Sequence, residues 1–249
     1  MIQAEFKAVI QTMITKCENY FQNRLVAIYL NGSIHNNEAV MGVSDIDAWV
    51  IIGEKLNDID KNWVEENEKH LDTNFDVVKG VHFNLTSISQ FKENTFARFA
   101  LKYNASLIYG KDIIKEIENA GAVKFLPNKA MAKGRLDFAI KCFEDALTGR
   151  CPACLDEIPT NTYFASRKFA RYFIIVEGVY FLMSKGVFET YKKERVLEQL
   201  KMYATDYSEI LDISHSVLEN SIETNIKHTD YIQIIKPFVE WMFDEVQKA

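Results

Sequence analysis

Apolar residues recur along this chain with two different spacings, and the change from one to the other divides it into halves. In the first half, short β-branched and aromatic runs alternate with helical segments, which is typical of a sheet with flanking helices. From Lys129 onward the apolar residues recur every three or four positions, as in helices. We therefore predict an α+β domain over residues 1–125 and an all-α helical bundle over 126–249, with the boundary near Leu126-Pro127-Asn128.

The first half begins with an amphipathic helix over residues 6–21, followed by strands. Val26–Leu30 is a buried strand that stops at Asn31-Gly32-Ser33, and a second strand follows at residues 46–52. A third strand begins either at Val81 or already at Phe75. The charged stretch after Gly53 is predicted as a surface helix whose charges face solvent, and residues 91–105 as a further helix before a turn at 108–112.

The second half reads as helices joined by short loops. Residues 131–147 form the first, and a long apolar helix over 162–185 ends at Gly186. Because that long helix contains Arg167, Lys168, Arg171 and Glu177, we predict the buried centre of a bundle rather than a membrane span. The N-terminal segment lacks the basic and apolar regions of a signal peptide, so we expect a cytoplasmic protein.

The net charge of the chain indicates which kinds of partner it can bind. The chain is 48% hydrophobic and 26% charged, with a formal net charge of −6, and acids outnumber bases in both halves. Proteins that bind nucleic-acid polymers need basic stripes, and this sequence has none. An acidic surface suits a small or cationic substrate instead.

The four cysteines fit a reducing compartment. Cys17 and Cys142 fall within helical patterns and are predicted as core residues. Cys151 and Cys154 form a single Cys-Pro-Ala-Cys without a second pair or a nearby histidine, which favours a structural loop over zinc binding or redox chemistry.

Two carboxylates begin the second strand. Asp45 and Asp47 are two residues apart, so their side chains share one face of the strand. Neighbouring carboxylates repel each other, and a hard divalent cation such as Mg²⁺ would relieve that repulsion. At Gly32-Ser33, a turn without a β-carbon allows backbone N–H groups to approach a phosphate closely.

In combination, these residues resemble a known signature. Gly32-Ser33, eleven intervening residues and Asp45-Ile46-Asp47 resemble the motif of the nucleotidyltransferase superfamily, whose fold is that of DNA polymerase β. The resemblance implies a mixed sheet with flanking helices. It implies Mg²⁺ at Asp45 and Asp47, a nucleoside triphosphate, most often ATP, bound near Gly32, Ser33 and Ser44, and transfer of a nucleoside monophosphate.

The same resemblance expects a third acid one residue into the third strand. The segment from Val81 to Phe91 is similar to kanamycin-type nucleotidyltransferases, but His82 stands at the acid position. Three alternatives remain open: the site works with two aspartates, Asp76 reaches it from the preceding segment, or the third function is lost. His82 is equally well explained as an ordinary histidine at a strand start.

The second half is similar to the helical domain of aminoglycoside nucleotidyltransferases, in which the acceptor lies between the two domains. The similarity implies a small-molecule hydroxyl acceptor, with Glu144 as general base and Lys192 and Lys193 near the phosphates. Without that resemblance, these three residues read as ordinary solvent-exposed helix charges. A toxin–antitoxin-type nucleotidyltransferase, or a non-catalytic nucleotide- or protein-binding module, is the alternative function.

Overall fold

The computed structural model describes residues 2–119, 128–155 and 157–249. The chain separates into two units, Met1–Leu126 and Pro127–Ala249. The boundary predicted near residues 126–128 falls mostly on residues 120–127, which lie outside the described part. The two units are described in turn.

The first unit is built on a four-stranded mixed sheet. Its strands are β1 (Leu25–Asn31), β2 (Ile46–Ile52), β3 (Val81–Ser87) and β4 (Ala105–Gly110), in the order β3-β2-β1-β4. β1 is antiparallel to both β2 and β4, whereas β2 and β3 are parallel. Parallel neighbours need a long crossover, and the helix between β2 and β3 provides it.

Helices cover both faces of this sheet. They are α1 (Lys7–Phe21), α2 (Gly32–Asn36), α3 (Asp58–Asn74), α4 (Ile88–Glu93), α5 (Thr95–Asn104) and α6 (Ile113–Asn119). Residues from α1 and α3 pack on one face, together with Ile46, Ala48 and Val50 of β2. Residues from α4, α5 and α6 pack on the other face with Tyr29 and Ile51. The alternation along β2 therefore turns Asp47 away from the α1 side.

The charges of helix α3 were predicted to face solvent, but one of them is buried. Asp60 is completely buried, and its carboxylate accepts hydrogen bonds from the Arg24 guanidinium (Oδ2 to Nη2, 2.7 Å), the Tyr20 hydroxyl and the backbone N–H of Asn57. With Asn57 it forms a capping box at the start of the helix. The burial of this charge depends on Arg24, a partner far away in sequence.

The fourth strand was not predicted. The sequence indicated a turn at residues 108–112, but Ala105–Gly110 pairs with β1 as an edge strand. Gly110 has a φ of +80°, and a β-carbon there would lie 2.1 Å from the Val26 carbonyl oxygen, so only glycine allows this close approach. The helix predicted over 91–105 is divided at Asn94, whose side chain caps α5, and β3 starts at Val81 rather than at Phe75.

The described residues of the second unit form helices and the loops that join them. It comprises α7 (Lys129–Leu147), α8 (Thr162–Phe169), α9 (Glu177–Ser184), α10 (Lys193–Tyr203), α11 (Ser208–Thr224) and α12 (His228–Lys248). A π-helical stretch, Ala170–Val176, joins α8 to α9, so residues 162–184 form the long central helix that the sequence predicts. Phe169, Phe173 and Phe181 on it are buried. The predicted α+β sheet followed by a helical bundle is confirmed.

The central helix carries a buried carboxylate, Glu177, whose charge is paired with a neighbouring helix. This residue is only 3% exposed, and its Oε1 atom lies 3.2 Å from Nε of Arg135 on α7. Arg135 also donates to the Tyr172 hydroxyl at 2.6 Å and lies against the Tyr180 ring. Burial raises the pKa of Glu177, while Arg135 and the Tyr172 hydroxyl oppose that shift. Among the described helices, none is long and apolar enough to cross a bilayer.

Candidate nucleotide and metal site

The turn after β1 has a conformation that requires glycine. Gly32 has a φ of +69°, which places it in the left-handed region. A β-carbon at this position would lie 3.2 Å from Oδ2 of Asp47, closer than most real contacts of that kind. The missing side chain thus leaves room for the Asp47 carboxylate beside the backbone of residue 32. Ser33 follows in the first turn of α2 and is half-buried.

The two aspartates lie on one face of the sheet, as their spacing predicts. Asp45 immediately precedes β2 and Asp47 is its second residue, and both are half-buried. Their carboxylates reach in different directions. Asp47 extends toward Gly32 on the β1 side, whereas Oδ1 of Asp45 lies near Gly80 on the β3 side, 3.7 Å from where a Gly80 β-carbon would be.

A row of three polar residues crosses the sheet at this level. Asp47 is in register with Asn31 of antiparallel β1 and with His82 of parallel β3. Neighbours in register on adjacent strands have side chains on the same face. Nε2 of His82 lies 3.4 Å from the position that a Gly80 β-carbon would occupy, so His82 and Asp45 approach the same point. The position where a third acid is expected is therefore next to the aspartate pair.

The other predicted residues of this unit lie at the periphery. Asp76 is exposed in the turn before β3. The Ser44 hydroxyl accepts a hydrogen bond from the Val40 backbone N–H at 2.9 Å, and the Ser44 carbonyl accepts one from Lys79 at 3.1 Å. Ser44 thus holds together the loop that leads into β2. A contact between Ser44 and a nucleotide stays a prediction.

Asn31 was not among the predicted site residues. Its side-chain oxygen Oδ1 is buried and accepts no hydrogen bond in the structure. Buried polar atoms are nearly always partnered, so an orphaned amide oxygen opposite Asp47 is unusual. The sequence signal that could have identified it is a polar residue at the end of an apolar strand, immediately before the glycine turn.

The side-chain oxygens of Asp45, Asp47 and Asn31 suit a hard divalent cation. Within residues 2–119, 128–155 and 157–249, no three His, Cys, Asp or Glu side chains are grouped as a metal site. Two carboxylates with an amide oxygen nearby nevertheless match the oxygen ligands that Mg²⁺ takes, since this ion commonly binds one or two protein carboxylates and completes its shell with water and phosphate. The residues present therefore fit Mg²⁺.

Two acids on α3 line the outer edge of β3 beside this row. Oε1 of Glu68 accepts the Phe83 backbone N–H at 2.6 Å, and Oδ1 of Asp72 accepts that of Val81 at 2.8 Å. Burial raises the pKa of Glu68, and the Phe83 N–H and His82 counteract the rise. These acids fix the edge strand that carries His82. The sequence did not distinguish them from the solvated charges around them.

The remaining predicted residues belong to the helical unit. The Glu144 side chain is exposed on α7. Lys192 is exposed just before α10, whereas Lys193 is only 8% exposed, and its Nζ lies 2.6 Å from the Glu219 carboxylate. Of the two lysines, Lys192 is the more accessible to a ligand.

Comparison with known proteins is informative at the level of structure. No protein-family model matches this sequence, and no curated protein matches it. The chain is similar to the crystal structure of the spectinomycin adenyltransferase AAD(9) from Enterococcus faecialis with ATP and spectinomycin, at 13% identity and a TM-score of 0.55. The match covers 96% of this chain and 98% of the other.

A second solved structure, a mutant of the toxin–antitoxin pair MntA-HpeT, matches at 15% identity with a TM-score of 0.32. That match covers 51% of this chain and 91% of the other, and its score is too low to support an argument. The AAD(9) comparison shows the fold. The chain has the nucleotidyltransferase-type fold that the sequence predicts.

Proposed function

We propose that this protein is a nucleotidyltransferase that moves AMP from ATP to a hydroxyl group of a small molecule. The observation that carries the proposal is that Asp45 and Asp47 share one face of the sheet, with the Asp47 carboxylate beside the backbone of Gly32. A carboxylate pair next to a backbone free of side chains suits a cation bound together with a triphosphate. The fold shared with an adenyltransferase supports the same reaction.

In this proposal, Asp45 and Asp47 hold the divalent cation. When bound, Mg²⁺ neutralises phosphate charge and increases the electrophilicity of the phosphoryl group. The backbone at Gly32 and the Ser33 hydroxyl bind the β- and γ-phosphates, since the absence of a β-carbon permits close approach. Lys192 is the better candidate for a further phosphate contact, because the ammonium group of Lys193 is already paired with Glu219.

The chemistry joins the acceptor oxygen to the α-phosphorus. As that bond forms, the bond from the α-phosphorus to the oxygen bridging to the β-phosphate breaks, and pyrophosphate leaves with the electron pair. The acceptor hydroxyl must lose its proton, and we assign this proton to the carboxylate of Glu144. Asp45 and Asp47 are poor candidates for this base because they would hold the cation.

The proposed acceptor is a polyhydroxylated, cationic small molecule. A net charge of −6 favours a cation over an anion and disfavours a nucleic-acid polymer. The structure of AAD(9) contains ATP and spectinomycin, and spectinomycin is a molecule of this kind. We therefore propose aminoglycosides and aminocyclitols as the acceptor class to test first.

The decisive experiment is a transfer assay followed by mass spectrometry. The protein is incubated with Mg²⁺, each of the four nucleoside triphosphates and a panel of aminoglycosides that includes spectinomycin. We expect one acceptor to gain the mass of AMP, with release of one pyrophosphate per transfer. Binding of an ATP analogue without transfer to any acceptor would favour a nucleotide-binding module, and absence of Mg²⁺-dependent nucleotide binding would refute the proposal.

A further inference from the structure

Asn31 is one of several described residues with an unpartnered buried side-chain atom, and it is the one that lies in the row with Asp47. Its side-chain oxygen is shielded from solvent and lacks a donor, although the residue lies at the end of β1, directly before the Gly32 turn. A buried acceptor left without a partner destabilises the folded state, because its hydration is lost and nothing replaces it. An asparagine kept at such a place requires another explanation.

The neighbours of Asn31 indicate what would satisfy it. Asn31 is directly opposite Asp47 in the antiparallel ladder, with both side chains on one face. Asp47 also reaches toward this strand, since its Oδ2 lies 3.2 Å from the position of a β-carbon on Gly32. The orphaned amide oxygen and this carboxylate thus share one end of β1, an arrangement that favours a cation between them over an anion.

On the opposite side of Asp47, the neighbour in register is a histidine and not an oxygen donor. His82 occupies the β3 position in the same row, and its Nε2 lies near Gly80 together with Oδ1 of Asp45. An imidazole nitrogen is a less suitable ligand than oxygen for a hard ion such as Mg²⁺. The oxygen donor closest in the row to Asp47 therefore comes from β1, not from β3.

We infer that Asn31 supplies an additional oxygen ligand to the divalent cation held by Asp45 and Asp47. This inference rests on the proposed function, because it adds a residue to the same cation site. An uncharged amide oxygen adds a hard donor without a third negative charge beside the triphosphate. It also accounts for the unpartnered state of Oδ1, which the cation would satisfy.

Direct metal binding tests the inference without an activity assay. Mn²⁺, which takes oxygen ligands as Mg²⁺ does, is titrated into the full chain and followed by electron paramagnetic resonance and calorimetry, with and without a non-hydrolysable ATP analogue. We expect Asn31→Leu to weaken Mn²⁺ binding about tenfold or more, the scale on which metal sites respond to lost partners. Asn31→Asp retains an oxygen and should bind Mn²⁺ at least as tightly as the native protein.

Thermal unfolding distinguishes a metal-binding role of Asn31 from a purely structural one. In metal-free protein, Asn31→Leu should raise the Tm by a few degrees, because an apolar side chain of similar size removes the orphaned acceptor. Asn36→Ala is the matched control. Its amide donates to Asn104 at 2.9 Å within the same turn region, so its loss should lower the Tm and leave Mn²⁺ affinity unchanged.

The outcomes distinguish the inference from the proposed function. If Asn31→Leu binds Mn²⁺ as tightly as the native protein while Asp47→Asn does not, the inference is wrong and the two-aspartate site stands. If Asp45→Asn and Asp47→Asn also bind Mn²⁺ normally, the proposed cation site itself is wrong. Should Asn31→Leu fail to fold, Asn31→Asp and Asn31→Ser are compared instead, and a weaker affinity for Asn31→Asp than for Asn31→Ser would overturn the inference.

Discussion

The sheet of the first unit and the central helix of the second both contain buried or half-buried polar side chains, but they differ in how those side chains are partnered. Around Glu177, the carboxylate, the Arg135 guanidinium and the Tyr172 hydroxyl contact one another. At the end of β1, the Asn31 oxygen has no partner, and Asp45 and Asp47 lie on the same face at the start of the neighbouring strand. The members of the first cluster satisfy one another, whereas the Asn31 oxygen would gain a partner only in the proposed metal-bound protein.

This difference separates structural from functional polar groups. A polar cluster whose members satisfy each other contributes to a specific packing and has nothing left to offer a ligand. A cluster with an orphaned acceptor and adjacent like charges reduces the stability of the empty protein, and ligand binding relieves that destabilisation. Variants of the cluster around Glu177 should therefore affect stability, whereas variants of the cluster around Asn31 and the two aspartates should affect activity.

The largest effect is expected at the aspartate pair. Asp45→Asn and Asp47→Asn should each lower the rate of nucleotide transfer about a thousandfold or more, about 4 kcal/mol of transition-state stabilisation, because each removes the charge that holds the cation. We expect both variants to remain folded, because each substitution preserves the size and shape of the side chain. Near-normal transfer by either variant would show that the two aspartates are not the metal site.

The next effect concerns the partnered cluster and should appear in stability. Glu177→Ala leaves the Arg135 guanidinium without its carboxylate in a mostly buried position, which should lower the free energy of unfolding by about 3 kcal/mol. Urea denaturation measures this change. The matched control is Glu198→Ala, which breaks an exposed pair with Arg195 and should have little effect. Equal losses in the two variants would contradict the comparison.

Glu144 tests whether the helical unit also contributes to the chemistry. If it is the general base, Glu144→Gln should reduce kcat about a hundredfold, or ~2.7 kcal/mol, with little change in ATP binding. Asp137→Asn, on the exposed surface of the same helix, is the matched control and should turn over normally. Normal turnover by Glu144→Gln combined with a loss in Asp76→Asn would assign the base to the first unit instead.

Local pattern was sufficient to predict most of the fold. The spacing of Asp45 and Asp47 predicted that both side chains share one face, and Ile46, Ala48 and Val50 pack on the other. The apolar density of residues 162–184 predicted the buried central helix. These features depend on neighbours in sequence, which periodicity reports directly.

Features that depend on distant partners could not be predicted. β4 was missed because its residues are mostly half-buried and show no alternation, so its identity as a strand comes from pairing with β1. The orphaned oxygen of Asn31 depends on what surrounds it after folding. The motif predicted the Gly32-Ser33 turn and the aspartate pair, but it assigned no role to the residue before the glycine.

The smallest effect tests whether partnering, rather than location, is the relevant variable. Asp60 lies in the first unit, yet its carboxylate is as fully partnered as that of Glu177, with Arg24, Tyr20 and the Asn57 N–H as donors. Burial alone would raise the pKa of Asp60, but hydrogen bonds from Arg24 and Asn57 outweigh it and the pKa is lowered from its usual value of 3.8. Because the folded state binds this proton less tightly than the unfolded chain, Asp60 contributes stability above about pH 4 that is lost as the pH falls through its folded-state pKa.

We expect Asp60→Asn to lower the free energy of unfolding by about 1–2 kcal/mol at pH 7, and the difference from the native protein to shrink as the pH drops below 4. Urea denaturation at a series of pH values measures this difference, with Asp58→Asn, an exposed acid paired to Lys61 in the first turn of the same helix, as the control. A difference that stays constant down to pH 2, or an equal loss in Asp58→Asn, would show that the carboxylate of Asp60 is not held as a charged, structural partner.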